Sequence, residues 1–154
     1  MTAVMLAKAL KALLDEKLAA YTYTDSSGKT RNITTYTYYL DDKQPGSEEA
    51  ASYIVIRPVS GEDDVENSTA KCVIVACVRN EEPQAGYLGA VNLIERIRQI
   101  LLTTGTIGKK FPLKKPLKWS IDNEPNRPYY SGYIEVDYYV GHLDDFQQMP
   151  FLYE

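Results

Sequence analysis

The strictest pattern in the chain is an alternation of apolar and polar side chains over residues 128–140. Successive side chains point to opposite sides of a β-strand, so this segment predicts a strand with two unlike faces. The apolar face carries Tyr130, Ile134, Val136, Tyr138 and Val140. The other face carries Tyr129, Ser131, Tyr133, Glu135, Asp137 and Tyr139. Tyrosine joins an apolar ring to a polar tip, which suits a surface that another protein buries, so we expect this second face to be an interface.

Tyrosine is also the one unusual feature of the composition, with 13 residues against three phenylalanines. Residues 30–40 form a second stretch rich in tyrosine and threonine, a composition typical of strands. Residues 30–40 and residues 128–140 are therefore both expected to contribute tyrosines to the interface. The expected subunit or partner interface consists of Tyr129, Tyr133, Glu135, Asp137, Tyr139, Tyr36 and Tyr38.

Two segments predict amphipathic helices. Leucines recur at helical spacing over residues 3–20, and a broad apolar stripe runs through residues 87–103. Gly86 precedes the second helix and Gly105 follows it. Glycine is favoured at the left-handed end of a helix, so Gly105 is the expected stop.

The middle of the chain predicts a sheet. Residues 70–79 are apolar on both faces, which is typical of a central strand covered on both sides. Residues 53–57 predict a short strand that Pro58 ends, because proline cannot donate a hydrogen bond to a sheet ladder. Residues 60–68 are expected to form an acidic loop.

The remaining segments are expected to add strands and loops. Residues 21–40 predict either a hairpin or a loop that feeds one strand, and residues 41–50 predict a loop. Residues 106–116 are expected to be a lysine-bearing loop. Residues 117–121 then pair with residues 130–140 as the last two strands.

These elements predict an α/β (α+β) fold, in which a mixed, largely antiparallel sheet of four to five strands is combined with two main helices. We expect one domain over residues 1–154. A sheet has two faces to cover and only two helices are predicted. If both helices lie on one face, loops or a neighbouring subunit must cover the other, so oligomerisation is expected.

Charge and hydropathy exclude several classes of protein. The net charge of −4 disfavours a broad phosphate-binding surface, so no sequence-specific binding of nucleic acid is expected. No run of eighteen apolar residues indicates a membrane span, and the charged amino-terminal segment predicts a helix rather than a signal peptide. Cys72 and Cys77 are five residues apart in a predicted strand, so they face opposite sides and cannot form a disulfide.

No catalytic, cofactor-binding or metal-binding residues are predicted. His142 is the sole histidine, and a buried thiol in an apolar strand is a poor nucleophile. The acidic segment with Glu62, Asp63, Asp64 and Glu66 lacks the glycine and the alternating ligands of a calcium loop, so a solvated loop is favoured over a cation site. Trp119 is expected in the core.

Two loops are predicted to dock onto partners. The first surrounds Ser27 and contains Lys29; the second contains Lys109, Lys110 and Lys114. The lysines lack the arginines typical of nucleic-acid patches, so a solvated loop is favoured over contact with nucleic acid.

The order of elements resembles a known family of phage proteins. The resemblance is carried by the amino-terminal helix, by SYIVI at residues 52–56, by LIERIR at residues 93–98, by Trp119 and by PYYSGYIEV at residues 128–136. With these segments the chain resembles, over most of its length, the small tail terminator and tail completion proteins of long-tailed phages and prophages, including the lambda minor tail protein U type.

The resemblance implies an α/β subunit that forms a ring, with a hexamer as the first expectation, at the head-proximal end of the tail tube. Such a ring ends tube growth and faces the head connector. The implied partners are further copies of the chain, the tail tube protein and the head-tail connector proteins. The implied locations are the virion and, during assembly, the host cytoplasm. The related head-tail adaptor proteins act in the same place, so both roles stay open.

Two other classes of function also stay open. A small cytosolic enzyme would need a pocket of perturbed ionisable groups, for example His142 with Asp144 or Glu135. A binding module would add a peptide strand at an exposed sheet edge.

Overall fold

The fold is a five-stranded sheet with two helices packed on it, as seen in a computed structural model that describes residues 2–24, 28–40 and 52–141. The helices are α1 (Ala3–Lys17) and α2 (Pro83–Thr104). The strands are β1 (Thr22–Thr24), β2 (Thr30–Asn32), β3 (Thr34–Thr37), β4 (Tyr53–Asp63), β5 (Ser68–Arg79), β6 (Leu113–Ile121) and β7 (Tyr129–Val140). The predicted fold class is confirmed.

Both predicted helices form, with shifted ends. The hydroxyl of Thr2 caps α1 by accepting a hydrogen bond from the backbone N–H of Met5 at 3.2 Å. Helix α2 begins at Pro83, four residues before the predicted start, because proline fits the first helical position, where no N–H is needed. Its stop at Gly105 is confirmed, with φ of +67°.

The strand order in the sheet is β3-β4-β5-β7-β6. Strands β3 and β4 are parallel, whereas the β4–β5, β5–β7 and β6–β7 pairs are antiparallel. The predicted central strand β5 is in the middle of the sheet, and the predicted pairing of the last two strands is confirmed. Strands β1 and β2 form a separate antiparallel hairpin, so residues 21–40 form a hairpin followed by a strand.

The predicted end of β4 at Pro58 is wrong. The strand continues to Asp63, and the register shifts between Pro58 and Ser60. Such a bulge accommodates a proline, because the ladder is already interrupted there. Most of the predicted acidic loop is therefore a hairpin, whose turn is held by the Asp64 carboxylate as it accepts hydrogen bonds from the backbone N–H groups of Glu66 and Asn67.

The core lies between the two helices and one face of the sheet. Helix α1 packs on β3, β4 and β5, whereas α2 packs on β5, β6 and β7. Both helices share one continuous cluster of buried residues with the same sheet face. Fully buried side chains in this cluster include Leu6, Leu10, Leu14, Ile54, Ile56, Ile74, Leu93, Ile94, Ile97, Leu101, Ile134 and Tyr138.

The prediction that Trp119 is a core residue is wrong, since its side chain is 51% exposed. Trp119 is opposite Ile134 in register and so lies on the helix side of the sheet. Its strand, β6, is at the sheet edge, and α2 contacts β6 less than it contacts β5 or β7. The helix thus leaves the edge tryptophan partly exposed.

Tyr138 places a hydroxyl in the core, where it has no hydrogen-bond partner in the described structure. A buried polar group without a partner costs about 1–3 kcal/mol, and removing it with little change of shape recovers part of that cost. We expect Tyr138→Phe to raise the free energy of unfolding by about 1 kcal/mol in urea denaturation. A loss of stability of the same size would show that the hydroxyl is hydrogen-bonded.

Candidate interaction surface

The face of the sheet that points away from both helices is the candidate functional site, and we call it the open face. Strand register assigns its members, because residues directly opposite each other share a face. The open face consists of Thr34, Tyr36, Tyr53, Val55, Arg57, Ser60, Glu62, Thr69, Lys71, Val73, Val75, Cys77, Arg79, Lys114, Lys118, Ser120, Tyr129, Ser131, Tyr133, Glu135, Asp137 and Tyr139. No helix in residues 2–24, 28–40 or 52–141 packs on it.

One half of the open face is aromatic and apolar. A row of neighbours crosses all five strands through Tyr36, Val55, Val75, Tyr133 and Ser120. Val55 is buried, Tyr36 and Val75 are half-buried, and Tyr133 is 41% exposed. This row provides the partly exposed rings and branched side chains that suit an interface.

The next row adds a buried polar contact. Tyr53 lies directly opposite Cys77, so the phenol and the thiol are neighbours on the open face. Burial raises the pKa of the Tyr53 phenol above its ordinary value, and the neighbouring Cys77 thiol raises it further. Burial likewise raises the pKa of Cys77. Both groups therefore stay neutral at physiological pH and act as packing groups.

The other half of the open face carries charges of alternating sign. Asp137 lies between Lys71 and Lys114 in register, and Glu135 lies opposite Lys118. Opposite charges on neighbouring strands contribute about 0.2–1 kcal/mol each relative to alanine pairs. The sheet surface thus combines an apolar half with a charged half in which basic side chains outnumber acidic ones.

The open face is large enough for a stable contact. Five strands about 4.8 Å apart, with up to twelve residues at about 3.4 Å each, span at most roughly 20 by 40 Å. Because the edge strand β3 has only four residues, the area of the face is on the order of 700 Å². Each partner in a stable protein complex contributes about 800 Å². The open face alone provides most of that area.

Most of the predicted interface residues are brought together here. Tyr129, Tyr133, Glu135, Asp137 and Tyr139 follow one another along β7, and Tyr36 lies on the opposite edge strand β3. The alternation predicted for β7 is confirmed, since Tyr130, Ile134, Val136 and Tyr138 are buried on the helix side. That the open face binds a partner stays a prediction.

Tyr38 lies one residue beyond β3, so strand register assigns it to neither face. It follows β3 with φ of +71°, and its N–H donates to the carbonyl of Ile56 at 2.8 Å. Its own carbonyl accepts a hydrogen bond from Arg57, and the Arg57 guanidinium lies 4.7 Å from the centre of the Tyr39 ring. The backbone of Tyr38 therefore fixes the end of β3 and positions Arg57 on the open face.

Tyr53, Val55 and Val75 also belong to this surface, although the sequence pattern did not predict them as interface residues. Residues 53–56 are all aromatic or apolar, so the sequence does not show that Tyr53 and Val55 lie on the face opposite Ile54 and Ile56. Val75 could not be assigned either, because β5 is apolar on both faces.

The predicted docking loops are only partly retained. Lys109 and Lys110 are exposed in a tight loop between Ile107 and Phe111, which are themselves buried. Lys29 is exposed beside Gly28. The prediction that Lys114 lies in a loop is wrong, since it belongs to β6, where it faces Asp137. Ser27 lies outside the described residues, as do His142 and Asp144.

The two cysteines lie on opposite faces of β5 as predicted, and both are free thiols. Cys72 is on the helix side, where burial, followed by the charge of Asp137, raises its thiol pKa to about 12. A thiol with so high a pKa is a weak nucleophile.

Residues 2–24, 28–40 and 52–141 hold no group of three or more His, Cys, Asp or Glu side chains arranged for a metal ion. Neither α1 nor α2, the helices of that part of the chain, is long and apolar enough to cross a membrane.

Comparison with known proteins gives a weak structural likeness. No protein-family model matches the chain, and no curated protein matches it. Among solved structures, it is similar to the bacteriophage SPP1 gp17 protein, with a TM-score of 0.48 and 16% sequence identity. The match covers 89% of this chain and 92% of that chain.

Proposed function

We propose that this chain is a structural protein of a phage virion that forms a ring on the end of the tail tube, ends tube growth and joins the tail to the head connector. It acts by binding rather than by catalysis. Its partners are further copies of itself, the tail tube protein and the connector proteins. Its locations are the host cytoplasm during assembly and then the virion.

The observation that carries the proposal is the open face. Both helices pack on one side of the sheet, and the other side presents tyrosines, valines and paired charges over an area suited to a protein partner. The segments that resemble tail terminator and tail completion proteins include β7, which crosses this face. Sequence pattern and sheet geometry thus favour the same role.

The head-tail adaptor role is the alternative, and the partner distinguishes the two. A terminator binds the ends of tail tubes that lack heads, whereas an adaptor binds the connector of filled heads. Tail tubes are made from the tube protein encoded in the same genome, and purified protein is added to tubes and to heads separately. Binding to tube ends supports the terminator role, and binding to heads alone supports the adaptor role.

A matched pair of tyrosines tests the open face. Tyr133 on β7 and Tyr87 on α2 are both 41% exposed, but Tyr87 belongs to the helix side. Central interface tyrosines often contribute more than 1 kcal/mol, so Tyr133→Ala is expected to weaken binding to tube ends by about tenfold or more. Tyr87→Ala is expected to leave it unchanged. Co-sedimentation of labelled protein with tubes measures both.

Two results would contradict the proposal. One is wild-type protein that binds neither tubes nor heads. The other is an equal effect of the two substitutions, which would remove the open face from the contact.

A further inference from the structure

The hairpin of β4 and β5 extends beyond its neighbour as an acidic arm, which we define as residues 58–69. Strand β3 pairs with β4 only as far as Ile56, and no other described strand pairs with the outer edge of β4. The arm carries four carboxylates and no lysine or arginine, and Val65 at its turn is 88% exposed. The carboxylates are those of Glu62, Asp63, Asp64 and Glu66.

The opposite edge of the same sheet is basic. We define the lysine edge as residues 109–118, which include the start of β6 and the loop before it. It contains five lysines and no acidic residue. The outer side of β6 pairs with no described strand. The lysines are Lys109, Lys110, Lys114, Lys115 and Lys118.

The two charged edges lie at the same level along the strands. Glu62 pairs with Thr69, which pairs with Tyr139, and the adjacent Tyr138 pairs with Leu113 at the start of β6. The turn of the arm and the loop of Lys109 and Lys110 therefore both project from the same end of the sheet. A second copy placed beside the first needs little shift along the strands to bring arm and lysine edge together.

We propose that the acidic arm of one copy docks on the lysine edge of the next, giving head-to-tail association of the chain with itself. Because the edges differ, the contact is heterologous, and repetition closes a ring if the rotation fits. Pairing of two arms or of two lysine edges is disfavoured by like charge. This contact deepens the proposed ring and rests on it for its biological role.

Edge lysines and prolines also prevent unwanted strand pairing, which explains Lys115 and Pro116 without any partner. That explanation does not account for an acidic arm of matching charge at the same level. It does not account for the apolar groups beside both edges either, since Val65 is 88% exposed and Trp119 is 51% exposed. Exposed tryptophan is among the side chains most enriched at the centres of interfaces.

Zero-length carbodiimide cross-linking of purified wild-type protein tests the contact without any tail component. The reagent joins a carboxylate to an amine, and an equal mixture of ¹⁴N and ¹⁵N protein identifies cross-links between copies. We expect mixed-isotope cross-links from the arm to the lysine edge. They should decrease several-fold from about 0.05 to about 1 M NaCl, because the screening length falls from more than 10 Å to about 3 Å.

Two charge-reversed variants supply the controls, and both leave the open face intact. The arm variant is D63K/E66K, which retains Asp64 because its carboxylate holds the turn. The edge variant is K110E/K115E, whose two residues are exposed and lie outside the open face. Each variant alone is expected to give a yield of mixed-isotope cross-links at least about tenfold lower than that of the wild type. Mixing the two variants is expected to restore the yield.

The proposal is overturned if wild-type protein gives no arm-to-edge cross-links between copies, if the cross-links are indifferent to salt, or if the mixed variants fail to restore them. Failure of tube binding with intact cross-links would overturn the tail role alone. Intact tube binding without these cross-links would overturn the edge contact alone.

Discussion

Replacing Ile134 with alanine is expected to lower the free energy of unfolding by about 2–5 kcal/mol, the usual cost of removing a large buried aliphatic side chain. Ile134 is fully buried on β7, between Ile74 of β5 and Trp119 of β6 in register, and it belongs to the cluster that both helices cover. The cavity left by the lost atoms has little room to collapse, because strands flank it on both sides. Chemical denaturation followed by circular dichroism measures the change.

The neighbouring residue is the matched control. Tyr133 is one position earlier on the same strand but points to the open face. Its cross-strand contact with Val75 contributes about 0.2–1 kcal/mol, so Tyr133→Ala should cost no more than that in stability. Equal losses for the two alanine variants would contradict the division of β7 into a core face and a binding face.

The sequence predicted β7 well because one side of that strand is buried and the other is not. Apolar and polar side chains then alternate along the strand, as the exposed Tyr133 and the buried Ile134 show. The same reasoning explains why Val75 could not be assigned to a surface. Its strand is apolar on both faces, so the pattern contains no information about which face the helices cover.

Elements decided by long-range contacts were not predictable in the same way. Proline usually ends a strand, so Pro58 was expected to end β4. Only the register of β4 on β5 shows that a bulge accommodates Pro58 within the strand. Trp119 is a large aromatic residue of the kind that usually lies in a core. It is exposed because β6 is at the sheet edge. Strand order and helix placement depend on packing between distant segments, which local patterns do not encode.

The candidate site was predicted in part for the same physical reason. Alternation identified the open-face residues of β7, including Tyr129 and Tyr139, before any fold was known. The contribution of Tyr53 needed the pairing of β4 with β5. A surface shared by five strands becomes visible only when their register is known.

Replacing Gly86 with alanine is the second substitution with a large expected effect. A Cβ atom at this position would lie 2.3 Å from two ring carbons of Tyr130, and that ring is only 3% exposed. Glycine here therefore allows the first turn of α2 to pack against the start of β7. The buried ring has to move to accept a methyl group, so we expect a loss of about 1–3 kcal/mol, the usual cost of overpacking.

Gly89 is the matched control for this prediction, because it lies in the same helix and differs in its surroundings. A Cβ atom there would meet only a methyl carbon of Val78, at 3.3 Å. Alanine also favours the helix over glycine by about 1 kcal/mol, which offsets that tight contact, so Gly89→Ala is expected to be nearly neutral. In a double variant, Gly86→Ala with Tyr130→Leu, the ring is replaced by a smaller side chain. The loss in free energy of unfolding should then be less than the sum of the losses for the two single substitutions. Strict additivity in the thermal or urea unfolding of these variants would show that Gly86 is required for a reason other than its contact with Tyr130.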